Sequence, residues 1–227
     1  MVKKITFAVK IAKKRATSYK VWLGLIYLCK SCKIVVRCKI MPTISSGESE
    51  KEGITHVANL MLISARTAPK TGGVDDVLTA IVSEAKKEQL AAEMEKIAEE
   101  RKIVGFTRDA KNVRDSELVV LIGVRGTKKY GLNCGACGYT SCEEFEKAEK
   151  KSGQDFTGPT CVYKSLDLGI ALGSAARTAS TLNIDNRIMY RVGTAAKRLN
   201  MLPEATVIMG IPLSAKGKNI YFDRPKL

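Results

Sequence analysis

Histidine is almost missing from this chain: His56 is the one imidazole in 227 residues. Ser-His-Asp or Cys-His catalysis would have a single base and no evident partner for it. His56 falls on an expected amphipathic helix, where it reads as a solvated or partly buried structural residue. No G-x-x-x-x-G-K-[ST] occurs, and "GVRG" is too short for a dinucleotide fingerprint. Long apolar runs are absent too. The one run near the N-terminus, residues 21–29, falls well short of the roughly 20 residues that cross a bilayer, so no integral membrane span is expected. No internal repeat and no low-complexity tract occurs.

Acidic residues are absent from the first 40 positions, which hold 11 Lys or Arg, whereas residues 41–227 hold 27 basic against 23 acidic. Most of the net charge of +15 therefore sits in a basic leader, residues 1–40, and the remainder carries no basic stripe interleaved with aromatics. A nucleic-acid groove is not expected there. The leader lacks a small-residue cleavage site after its apolar run, so it is not a clean signal peptide. A targeting segment, a structured extension and an upstream start are its three readings. The abrupt change at Met41 favours the last.

What is present is a folding-competent body, residues 41–227. With 45% hydrophobic and 27% charged residues the chain can bury a core. Ile54, Val57, Ala58, Met61, Leu62 and Ala65 recur at helical period, and the pattern breaks at Pro69 and Gly72-Gly73. Residues 77–82 are β-compatible. After Ser83, Leu90, Ala91, Met94, Ile97 and Ala98 share one face of a charged helix. "ELVVLIGVRG", residues 117–126, reads as a strand covered on both faces. Residues 165–182 are apolar or small on almost every side, which predicts a buried helix. Ile188, Met189, Val192, Ala195, Ala196 and Leu199 predict a further, amphipathic helix, capped by Asp185 or Asn186, and residues 205–213 a last strand. Helices alternating with a few strands predict an α/β or α+β layered fold.

Cysteine carries the chemistry. Cys134, Cys137, Cys142 and Cys161 have the spacing C-x2-C-x4-C-x18-C, and nothing suggests the secretion that favours disulfides; the expected location is cytoplasmic. Gly135 and Gly138 allow positive φ, so the loop can aim amides at sulfur. A cubane 4Fe-4S centre takes four thiolates, commonly three from a compact loop and one from afar, which Cys161 supplies. Structural zinc also takes four thiolates, though usually as two paired knuckles, and a zinc-stabilised interaction domain stays open. Cys29, Cys32 and Cys38 of the leader lack a fourth ligand and read as unrelated.

"NCGACGYTSCEEF", followed by the distant Cys161, resembles the 4Fe-4S module of corrinoid iron-sulfur proteins and of ferredoxin-like electron-transport subunits. With "ISARTAPKTGGVDD", "CVYKSLDLGIALGSAA" and "DNRIMYRVGTAAKRLN" it resembles, over residues 41–227, an uncharacterised family of ferredoxin-domain-containing proteins. That implies one redox domain with an iron-sulfur segment at 130–165. "LMLISARTAPKTGG", "LDLGIALGSAARTASTLNID" and "VIMGIPLSAKGKNIYFDRP" are similar, in order, to stretches of nitroreductase-like FMN proteins. The "RRSxR" signature of those proteins and the Asn of their "PSxxN" have no counterpart here. This resemblance implies a three-layer fold with the cluster segment inserted, a homodimer, and FMN with its phosphate neutralised by Arg66, Lys70 or Arg224. The function expected is a flavin-linked oxidoreductase or electron-transfer protein, working with a flavin or a redox partner protein. A non-enzymatic electron carrier or redox sensor is the alternative.

Overall fold

The computed structural model describes residues 43–222 together with strands β1 (Leu25–Leu28) and β2 (Val35–Cys38). β1 and β2 pair antiparallel, with Leu25 opposite Cys38. Cys29, Cys32, the side chain of Cys38 and Arg224 lie outside the described residues. Residues from Ser45 onward form a unit of their own.

That unit opens with helix α1 (Ser46–Thr67). The stretch "SSGE" closes a capping box: Ser45 Oγ accepts from the Glu48 N–H at 3.3 Å, and a Glu48 carboxylate oxygen accepts from the Ser45 N–H at 3.3 Å. The helix therefore starts several residues before its apolar stripe does. Ile54, Val57, Ala58, Met61 and Ala65 are buried as their period requires. Strand β3 (Val77–Ser83) leads into α2 (Glu84–Arg101), α3 (Val104–Asp115) and β4 (Leu118–Val124). There follow α4 (Cys142–Lys147), a two-residue hairpin of β5 (Lys151–Ser152) and β6 (Thr157–Gly158), and α5 (Val162–Thr181). β7 (Asp185–Asn186), α6 (Tyr190–Arg198) and β8 (Val207–Ser214) complete the order.

One sheet, β3-β4-β8-β7, has every neighbouring pair antiparallel. All seven residues of β4 are buried, so the unbroken apolar run is a central strand with helices on both faces. Val119 and Leu121 face a core with α2, α3 and α6, while Leu118, Val120, Ile122 and Val124 face one with α1 and α5. The period-2 alternation of a strand thus divides β4 between two hydrophobic cores. Burial of each such side chain is worth roughly 1.5–3 kcal/mol. The architecture is a mixed α/β sandwich of three layers, the class expected.

Three local expectations are corrected. Helix α3 was not anticipated; Phe106, Ala110 and Val113, spaced four and three apart, are its buried stripe. Asp185 and Asn186 do not cap α6. They form edge strand β7 against Ser214 and Leu213, with Asp185 accepting from Asn219 and Asn186 donating to Ser180 Oγ, and Met189 occupies the cap position. Helix α5 is buried on one face only. Leu166 and Ile170 are exposed, and Gly169 and Gly173 have open space where a Cβ would stand, because α1 covers one flank and the sheet another.

Candidate functional site

The chain leaves the sheet at the end of β4 and returns to it through α5, and backbone ties close that excursion. Cys161 N–H donates to Gly126 O at 2.8 Å, Gly126 N–H donates to Thr206 Oγ1 at 2.8 Å, and Thr157 N–H donates to Thr206 O at 3.1 Å. Thr206 in turn donates through its N–H to Val124 O at 2.9 Å. The outgoing and returning arms are both fastened beside the start of β8, which carries Cys161 to the cysteine loop 19 positions after Cys142.

Within the loop, Asn133, Gly135 and Gly138 adopt φ of 51°, 71° and 88°. Asn133 is the joint. Its N–H donates to Cys142 Sγ at 3.3 Å, and its Oδ1 accepts from the Cys142 N–H at 2.7 Å. Ser141 caps α4 by accepting from Glu144 N–H at 3.1 Å, while Glu144 accepts from Thr140 N–H at 2.8 Å. Cys142 therefore sits on a helix end fixed from both sides. Cys161 stands at the N-cap of the 20-residue α5, the positive end of the helix dipole, where negative charge is favoured.

Cys134, Cys137, Cys142 and Cys161 are free thiols that line one recess, walled also by Tyr130 and Tyr163. Cys134 is exposed, Cys137 half-buried, and Cys142 and Cys161 buried. Leu132, 50% exposed, also lines the recess. Among the described residues no group of three or more His, Cys, Asp or Glu side chains is arranged to hold a metal ion.

Behind the recess lies a buried polar layer that the sequence did not announce. Lys164, one turn beyond Cys161 on α5, is fully buried, its Nζ 2.8 Å from Asp76 Oδ2 but not aligned as a hydrogen bond. Asp76 also accepts from Lys128 Nζ at 3.0 Å. Burial alone would raise the Asp76 carboxyl, yet the two ammonium groups outweigh it and hold it below its ordinary value. Asp167 Oδ1 accepts from Thr71 N–H at 2.8 Å and Thr71 Oγ1 at 2.9 Å, whereas its buried Oδ2 has no partner. Tyr130 joins this layer to the recess. Its ring lies 6.2 Å from that of Tyr163 and 5.6 Å from Lys164 Nζ, and its hydroxyl fills the space where a Cβ on Gly72 would stand.

The three residues expected at an FMN phosphate are placed as follows. Arg66 pairs with Asp75 and donates to Val77 O at 3.2 Å. Lys70 turns its ammonium onto the end of α1, donating to the carbonyls of Ala65, Arg66 and Ala68 at 3.0, 2.6 and 2.9 Å. Arg224 is outside the described residues. His56 is exposed on α1. Reading by residue type missed Asn133, whose signal is a side chain tolerant of positive φ directly before a cysteine. It also missed Asp76 and Lys164, for which a "DD" pair and a lysine in a helix gave no signal.

The chain is thus a three-layer α/β protein in which four cysteines line one recess. The chain belongs to the family described as "Uncharacterized protein containing a ferredoxin domain (DUF2148)", whose model matches residues 157–224. An uncharacterized protein of Archaeoglobus fulgidus is 48% identical over 181 residues, covering 80% of this chain and 97% of its own. Among solved structures, the chain is similar to the nitroreductase CinD from Lactococcus lactis in complex with nicotinic acid (13% identity, TM-score 0.47, 74% of this chain and 84% of that one). It is also similar to a nitroreductase with bound FMN from Desulfitobacterium hafniense (13% identity, TM-score 0.45, 78% and 81%). No helix among the described residues is long and apolar enough to cross a membrane.

Proposed function

We propose that this chain is a redox protein that binds a 4Fe-4S cluster through Cys134, Cys137, Cys142 and Cys161. The observation that supports this reading is that four cysteines from two separate stretches line one recess. The donor set fits the group: four sulfurs, positive-φ glycines in the loop, an N–H donated to Cys142 Sγ, and a helix N-terminus at Cys161. A cluster bound there would supply one-electron transfer. The residues around it would exclude water on the side of Tyr130 and Tyr163. They would leave the side of Cys134 and Leu132 open, where a redox partner protein or a flavin would exchange electrons. A cluster held by four thiolates would suit a reducing compartment, and we place the protein in the cytoplasm on that ground.

Electron transfer is the function this arrangement supports best, with a flavin-linked oxidoreductase as its elaboration. For FMN in the same chain, Lys70 would have to give up three carbonyls and Arg66 its carboxylate, so no step is assigned to it. Anaerobic reconstitution followed by absorption spectra and iron, sulfide and zinc analysis tests the proposal. About four iron and four sulfide per chain with broad absorption near 400 nm are expected. Resolved flavin bands would add the second cofactor, and a colourless protein holding zinc overturns the reading. Cys161→Ser is expected to lose or convert the cluster; unchanged iron content would remove Cys161 from the ligand set.

A further inference from the structure

Lys164 is the one lysine among the described residues with no exposed surface. Removing an ammonium from water is costly unless its charge is answered. Asp76 answers it at 2.8 Å, but the same carboxylate also takes Lys128 at 3.0 Å, with Arg125 at 3.9 Å turned mainly to Glu204. Two ammonium groups thus share one carboxylate. The third buried charge of this layer, Asp167, places Oδ1 on Thr71 and leaves Oδ2 without a hydrogen-bond partner. Lys164 Nζ also lies over the ring of Tyr130, 5.6 Å from its centroid, and Tyr130 in turn lines the recess.

We infer that Lys164 is the counter-charge of the cluster site: a positioning residue whose ammonium, held by Asp76 beneath Tyr130, raises the reduction potential of the centre. The inference rests on the cluster reading proposed above. Four thiolates make the occupied recess net negative, and taking one electron makes it more so by one charge. A fixed buried cation therefore favours the reduced form. At a separation on the order of 10 Å and an effective dielectric of about 20, one unit charge is worth about tenfold in an equilibrium constant. Lys128, with its side chain 60% exposed, is screened and acts less. The inference assigns opposite signs to the two members of the buried pair, which a purely structural role does not.

The test is an anaerobic redox titration of reconstituted protein followed by absorption or electron paramagnetic resonance, with iron content measured for each variant. Parent protein without iron would fail the cluster reading itself, and this is scored before any variant. Lys164→Met is expected to lower the reduced-to-oxidised ratio at fixed poise about tenfold, a shift of about 59 mV to more negative potential for one electron. Asp76→Asn keeps the lysine and removes the carboxylate, and is expected to shift the potential the other way. Lys128→Gln should move it less than Lys164→Met. Iron-replete Lys164→Met at the parent potential, even with a lowered melting temperature, overturns the inference. Should Lys164→Met fail to fold, Asp76→Asn decides: an unchanged or lower potential overturns it.

Discussion

Asn133 offers a sharp test of how the cysteine loop is held, because one residue does two separable things there. Its backbone stands at φ 51°, and its side chain accepts the Cys142 N–H at 2.7 Å. Alanine removes the acceptor, at a cost of about 1 kcal/mol. It also places an ordinary residue in the left-handed region, at a cost of about 1–2 kcal/mol. Glycine removes the acceptor but keeps the conformation accessible. Asn133→Ala should therefore open the loop more readily by about 2–3 kcal/mol, roughly 30- to 150-fold, and Asn133→Gly by about 1 kcal/mol, roughly fivefold. Two readouts apply. Hydrogen exchange at the Cys142 amide reports opening without any cofactor, and the rate of iron release to a chelator reports it in reconstituted protein. Equal effects of the two substitutions would refute the conformational half of this reasoning, and parent-like exchange in both would refute all of it.

Two further outcomes are expected of the scaffold. A Cβ on Gly193 would stand 1.7 Å from Ile208 O and 2.5 Å from Ile208 C, both backbone atoms of β8. Gly193→Ala must therefore lift α6 off the sheet, at about 3 kcal/mol; a loss below about 0.5 kcal/mol in urea unfolding would contradict that contact. The Asp76 carboxyl is held below its ordinary value of 3.8, so its ion pairs stabilise the fold fully above that value. On acidification the unfolded chain binds a proton there before the folded one does, and the contribution is lost as pH falls through the lower, folded value. The stability gap between parent and Asp76→Asn should narrow on acidification below about pH 4, as thermal unfolding at a series of pH values would show. A gap that is constant with pH would mean Asp76 contributes nothing through its charge.

How far the sequence reaches depends on whether a feature is local. The buried face of α2, Leu90, Ala91, Met94, Ile97 and Ala98, was legible residue by residue because helical period is a local property. So was β4, whose unbroken apolar run leaves no solvent face. The four cysteines were legible as a set because their spacing is itself the signal. Asp185 and Asn186 misled because a short polar residue before an apolar stripe signals a cap equally well when it is an edge strand, and only its pairing with β8 decides between them. Lys164 lay beyond reach for a related reason. In "VYKSLDLG" it looks like a solvated helix residue, and its burial depends on Asp76, from the other side of β4 in the chain.

The distribution of the four thiols over the fold implies how the site is kept ready. Cys142 is fixed by the Ser141 and Glu144 caps and by Asn133, and Cys161 by Gly126 and the start of α5, so these two buried thiols are set by regular structure. Cys134 and Cys137 stand on the loop between positive-φ residues, nearer to solvent. Cys161 is tied to the sheet through Gly126, Thr206 and Val124. On the cluster reading proposed above, the outer pair would close once the group is in place. Such a division would let the rigid half define the geometry while the loop half admits the group. On the proposed reading, electrons would be exchanged at the edge that costs the fold least to move.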